Sequence, residues 1–171
     1  METTEKIVEA YVRYVKGWAT IPNIKCPGQF EIDLLAIDPV SLKRYHIESS
    51  VSISGAYSKI TAKPFSEAAY KERVQRPKQR RTIEFFAQRK FGAESVINRL
   101  KEYGFVPGEY SKIIVSWGWE EAAEVEAKKL EIQLWNFKDI LKEISESFKK
   151  DRTYFIDDTL RTLQLFSRAV K

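Results

Sequence analysis

The chain has 171 residues, 43% of them apolar and 31% charged, which predicts one globular domain and excludes a disordered or fibrous protein. One cysteine and one histidine, Cys26 and His46, exclude a disulfide framework, a cysteine zinc site and a multi-histidine metal site, and they fit a reducing cytoplasm. The net charge of +5 is uneven: residues 57–90 hold ten Lys or Arg against three acids, a net of +7, while the rest of the chain is net −2. Clustered base of this kind is the footprint of a polyanion binder, and it places nucleic acid ahead of a merely solvated basic face. No apolar run approaches the ~20 residues of a membrane span, and the acidic start Met1-Glu2-Thr3-Thr4-Glu5 lacks a signal-peptide pattern.

In chain order, residues 5–18 read as a helix, with Ile7, Ala10, Tyr11, Tyr14 and Trp18 at helical spacing. Pro22 breaks it, a strand can follow, and Pro27-Gly28 marks a turn. Residues 29–37 and 43–53 read as two strands joined by the turn signal Asp38-Pro39-Val40-Ser41. On the second strand Tyr45, Ile47, Val51 and Ile53 take one face, and Arg44, His46, Glu48, Ser50 and Ser52 the other. Pro64 and Pro77 limit any helix in the basic stretch 57–80. Helices are predicted over 80–91 and about 94–103, a strand over 112–116, a helix over 120–129 and a strand over 132–135. A helix striped by Phe137, Ile140, Leu141, Ile144 and Phe148 comes next. A polar link leads to a last helix near 157–170, with the stripe Leu160, Leu163, Phe166 and Ala169. The order predicts an α/β domain over 1–150, with a mixed sheet and helices on its faces. Residues 151–171 form an amphipathic helix that packs on this domain or joins two chains as a homodimer.

The chemistry concentrates in the hairpin. If its turn centres between Val40 and Ser41, Asp38 faces Lys43 and Asp33 faces Glu48. Opposed carboxylates about 4.5–5.5 Å apart at Cβ destabilise a sheet unless something compensates them. A divalent cation would do so, and with carboxylates as the only abundant ligands a hard ion, magnesium or manganese, is favoured. A solvent-facing Asp33 beside Glu31 is the plainer alternative. For His46 the simplest expectation is a half-exposed strand residue. Trp117-Gly118-Trp119 reads as a hydrophobic plug at a strand end. Of Phe65, Tyr70, Phe85, Phe86 and Phe91, interleaved with the bases, most are expected in the core.

Gln29-Phe30-Glu31-Ile32-Asp33-Leu34-Leu35-Ala36, followed by His46-Ile47-Glu48-Ser49-Ser50, resembles the PD-(D/E)XK nuclease superfamily, closest to its restriction-endonuclease-like and archaeal junction-resolvase-like members. The resemblance rests on motifs over residues 5–53 and on topology alone over about 80–148. It implies a restriction-endonuclease-like mixed sheet flanked by helices, with an extra C-terminal helix. It also implies metal-dependent cleavage of DNA, with Asp33 and Glu48 as ligands of magnesium or manganese and Glu9 as the helical glutamate, Glu5 being second choice. An i,i+4 ion pair with Arg13 is an equal expectation for Glu9. The family's lysine would stand where this chain has Ser50. Either another base, Lys43, Arg44 or Lys59, replaces it, or the fold persists as a non-catalytic nucleic-acid-binding module. Lys59, Lys63, Arg73, Arg76, Lys78, Arg80 and Arg81 would grip phosphates beside the site.

Overall fold

A computed structural model describes residues 2–53, 58–67, 80–150 and 154–169. The chain is α/β, with a mixed five-stranded sheet between two layers of helices. Its strands are β1 (Ala19–Cys26), β2 (Phe30–Ile37), β3 (Arg44–Ser50), β5 (Tyr110–Ser116) and β7 (Ile132–Asn136), in the order β1-β2-β3-β5-β7. β1–β2 and β2–β3 pair antiparallel, and β3–β5 and β5–β7 pair parallel. Two short strands, β4 (Lys59–Ile60) and β6 (Gly118–Trp119), pair in parallel beside it.

The hairpin register is the predicted one. Leu34 pairs with Ile47, Leu35 with His46, Ala36 with Tyr45 and Ile37 with Arg44. The Asp38 side chain builds the turn, accepting from the Val40 amide at 2.9 Å and from the Ser41 hydroxyl at 2.5 Å. The Asp38 amide donates to the Lys43 carbonyl at 3.0 Å, and Leu42 takes the positive φ of 59° that closes the loop. β1 tolerates Pro22 because it is the sheet edge, where a missing N–H breaks no inner ladder.

One face of the sheet carries α1 (Thr3–Ala10), which continues as a π-helical turn over Tyr11–Val15, together with α5 (Phe137–Lys150) and α6 (Asp158–Ala169). Ile7, Val8 and Val12 meet Leu34, Ala36, Ile47, Ile113 and Val115 there, and Ile140, Ile144 and Phe148 close the layer. The first helix therefore ends earlier than the predicted 18: Gly17 turns it at φ 73°, and Trp18 stacks on Tyr45 at 4.1 Å. The other face carries α2 (Ile83–Phe85), extended by a π-helix over Phe86–Phe91, then α3 (Glu94–Glu102) and α4 (Glu121–Lys129). Each large side chain fully buried in these layers contributes about 1.5–3 kcal/mol. Phe65, Phe85, Phe86 and Phe91 are core, as expected, and Tyr70 lies outside the described residues. Trp117 packs on the first layer and Trp119 on the second, so the Trp-Gly-Trp segment plugs both.

The last helix corrects one prediction. Leu160 and Leu163 face the core, but the buried positions beyond them are Gln164 and Ser167, while Phe166 is 66% exposed. The cause lies at the helix start. Asp157 Oδ1 accepts from the Thr159 and Leu160 amides at 3.0 and 3.1 Å, and its Oδ2 pairs with Lys6 at 3.1 Å. That cap fixes the helix rotation, and Phe166 falls on the outer side. Among the described residues no helix is long and apolar enough to cross a membrane.

Candidate active site

Asp33 sits where β2 loses its regular alternation. Leu34 and Ala36 face the α1 layer, yet Ile32 and Leu35 share a cluster on the other side. The β1–β2 ladder passes from Pro22–Leu34 to Ile24–Ile32, and between them Asn23 adopts φ 54°. A short polar side chain tolerates that conformation, and the irregularity re-aims the acid as a bulge would. The hairpin register brings Glu48 alongside. The Asp33 amide donates to Glu48 Oε1 at 3.4 Å, and the Ser49 amide donates to Asp33 Oδ2 at 2.8 Å. Both acids are buried, Asp33 at 8% exposure and Glu48 at 0%.

The group that compensates them is Lys90. Its Nζ lies 2.5 Å from Glu48 Oε2 and 3.3 Å from Asp33 Oδ1, and it donates to the Glu31 carbonyl at 3.3 Å. None of the three predicted substitutes for the motif lysine stands here. Lys43 is exposed at the hairpin turn. Arg44 pairs with Ile37 at the far end of β3, about 13 Å along the strand from Glu48. Lys59 is exposed on β4.

Lys90 reaches the acids because its helix is wide. Thr82 caps the start, its hydroxyl accepting from the Phe85 amide at 3.1 Å, and from Phe86 the turns are π-helical. Closing bonds five residues apart brings Phe86 and Phe91 over one another, with Lys90 beside them on the sheet side. Gly92 permits the exit: a Cβ there would stand 2.5 Å from the Ala87 carbonyl oxygen. Gly92→Ala is therefore expected to destabilise the protein by about 1–3 kcal/mol, as overpacking does, measured by urea unfolding. It is also expected to displace Lys90.

His46 is not half-exposed but fully buried, beneath that helix and edge-on to Phe91 at 4.8 Å. Its Nε2 is 2.8 Å from Glu48 Oε1. Burial depresses its pKa to about 3, so it stays neutral. In the tautomer that carries its proton on Nε2, the ring donates to Glu48 Oε1. Burial, then repulsion from Glu48, raises the Asp33 pKa to about 7, although Lys90 pulls the other way. Burial also pushes Glu48 up, again opposed by Lys90. Burial alone would lower Lys90, but Glu48 and Asp33 outweigh it and hold it well above its ordinary value. The site thus contains two acids, one permanent cation and a neutral imidazole, one negative charge in excess when both acids ionise.

The helical glutamates divide. Glu9 accepts from Thr20 Oγ1 at 3.0 Å and pairs with Arg13 at 3.5 Å. Glu5 and Glu9 both line a water-sized gap with Asp33 and Ser49, and burial, helped by the Asp33 charge, pushes the Glu5 carboxyl up. Ser50 lines a cleft of about 480 Å³ that opens beside Lys90, together with Ser49, Phe30, Arg80 and Arg89. The Ser50 carbonyl accepts from Arg81 Nη1 at 3.3 Å. Of the predicted phosphate-binding residues, Arg80 reaches the cleft and Arg81 braces its wall, while Lys59 and Lys63 are exposed elsewhere on the surface. Arg73, Arg76 and Lys78 lie outside the described residues.

Lys90 was countable in the sequence only as one of ten bases. The signal that singles it out is its place between Phe86 and Phe91, in the apolar stripe of a helix, where a lysine must find a buried acid. No protein family, curated protein or solved structure matches this chain.

Proposed function

We propose that this protein is a metal-dependent phosphodiester hydrolase acting on DNA, related in design to the PD-(D/E)XK nucleases, with Lys90 in the role of the lysine that Ser50 replaces. One observation carries the reading: a protonated lysine touching both acids of the hairpin at the mouth of a cationic cleft. Among the described residues no group of three or more His, Cys, Asp or Glu could hold a metal ion, so a hard divalent cation would rest on the acid pair and water. Asp33 and Glu48 supply carboxylate oxygens, and magnesium or manganese, which retain several waters, need few protein ligands. The excess negative charge of the pair supplies the electrostatic demand. When bound, the cation would supply an acidified water and stabilise negative charge on phosphate.

The chain's own residues do the rest. Glu48 is held by His46 on one oxygen and by Lys90 on the other, so its carboxylate is fixed before substrate arrives. Lys90 remains protonated at neutral pH, which makes it an electrostatic partner for a phosphoryl oxygen or an orienting donor to water, not a general base. Arg80 and Arg89 place positive charge along the approach. A second reading has its own support. Lys90 already neutralises much of the acid pair, as it would in a non-catalytic nucleic-acid-binding protein of this fold.

Labelled single-stranded, duplex and branched DNA, incubated with magnesium, manganese or EDTA, separates the two. The hydrolase reading expects divalent-dependent cleavage that Asp33→Ala and Glu48→Ala each reduce by at least a hundredfold. Binding without cleavage under every condition leaves the binding module.

A further inference from the structure

We infer that the cleft beside Lys90 takes a nucleotide whose base is out of the stack, so that the protein acts on single-stranded or frayed nucleic acid in preference to intact duplex. This rests on the nucleic-acid reading above, and it adds the form of the substrate. The cleft has about 480 Å³ of room, within the range of small-ligand sites. Its cations among the described residues are Arg80, Arg89 and Lys90, and its one half-exposed ring is Phe30, with the buried Phe85 and Phe86 forming the core behind it. A stacked duplex presents phosphates outward and hides its bases, so an aromatic wall would add nothing to its recognition. An unstacked base needs that mixture of charge and apolar wall.

The placement of Arg89 supports the point. Its guanidinium carbon lies over the Phe30 ring, 4.5 Å from the centroid, in a cation–π contact on one wall, and Glu67 holds it at 3.4 Å. Guanidinium planes and aromatic faces both accept bases without regard to sequence. Glu31, the acid on the lining, is turned onto Lys25 at 2.6 Å, which removes part of its repulsion for a phosphate. Lys90 follows Arg89 directly, so a base on that wall would carry its own phosphate towards the acids.

The test is fluorescence anisotropy of the full chain in EDTA. The probes are a labelled oligonucleotide of about ten residues, a span one groove can cover, and its blunt duplex. Single strand is expected to bind on the order of tenfold tighter. Arg89→Lys keeps the charge and loses the plane, and Phe30→Leu keeps an apolar side chain and loses the ring face. Both are expected to bring single-strand and duplex affinities to within about twofold of each other, with the salt slope unchanged because neither alters the charge count. Circular dichroism melting confirms the fold of each variant. Equal affinities in the wild type, or a preference that survives both substitutions, overturns the inference. Cleavage without a strand preference removes the cleft assignment and leaves the hydrolase. A strand preference without cleavage in any metal does the reverse.

Discussion

Lys90→Met is expected to destabilise the fold by about 3–5 kcal/mol and to lower DNA cleavage by at least a hundredfold. Methionine fills nearly the same volume, so the loss is electrostatic rather than a cavity. It leaves Glu48, fully buried, and Asp33, nearly so, without their shared cation. The acids would respond by holding protons, which gives the deficit a pH dependence of known sign. An acid whose folded pKa lies above its unfolded value contributes stability below the unfolded pKa and loses it as pH rises. The variant should therefore lag the wild type least near pH 5 and most near pH 8, read as urea midpoints at both. A double variant, Lys90→Met with Ser50→Lys, tests the functional role separately. Ser50 lines the same cleft, so a lysine there should restore part of the cleavage without restoring the lost stability. If Lys90→Met cleaves normally, Lys90 is a structural counter-ion and the proposed chemistry fails.

The sheet and the hairpin were legible in the sequence because their signals are local. Asp38-Pro39-Val40-Ser41 closes a turn through its own side chains, and the period-two pattern of β3 then forces a register that sets Asp33 and Glu48 together. The parallel strands β5 and β7 announced themselves as short apolar runs between helical patterns. Lys90 was not legible in the same way. It is 42 residues beyond Glu48, on a helix whose π-helical widening no simple periodicity reports, and its partners belong to other elements. The polar face of β3 misled for a related reason. His46 and Glu48 alternate as solvent-facing residues do, yet the helix at 83–91 covers them, and burial is what gives them fixed partners. The outward Phe166 is a third case, decided by the Asp157 cap.

Asp33→Asn is expected to abolish cleavage and to make the protein more stable at pH 8, by about 1–3 kcal/mol. The reason is burial together with the charge count. Burial first, and then the Glu48 charge that one lysine only partly offsets, raises the Asp33 pKa to about 7 against an ordinary 3.8. A folded value above the unfolded one means that the folded state keeps a proton the unfolded state releases, so wild-type stability falls as pH rises from about 4 to about 7 and is level above that. An amide cannot ionise. It still offers an oxygen to the Ser49 amide, and it leaves Lys90 and Glu48 as a one-to-one pair. The stability curve of Asp33→Asn should accordingly be flatter between pH 4 and 7, meeting the wild type at the acid end. A loss of stability at pH 8 would instead mean that the Asp33–Lys90 contact is a structural salt bridge. A gain in stability joined to a loss of cleavage is the mark of a site kept for chemistry at the expense of the fold. In that case divalent cation, added to the wild type at pH 8, should raise its urea midpoint and leave that of Asp33→Asn nearly unmoved, because only the wild type has the unmatched charge to hold it.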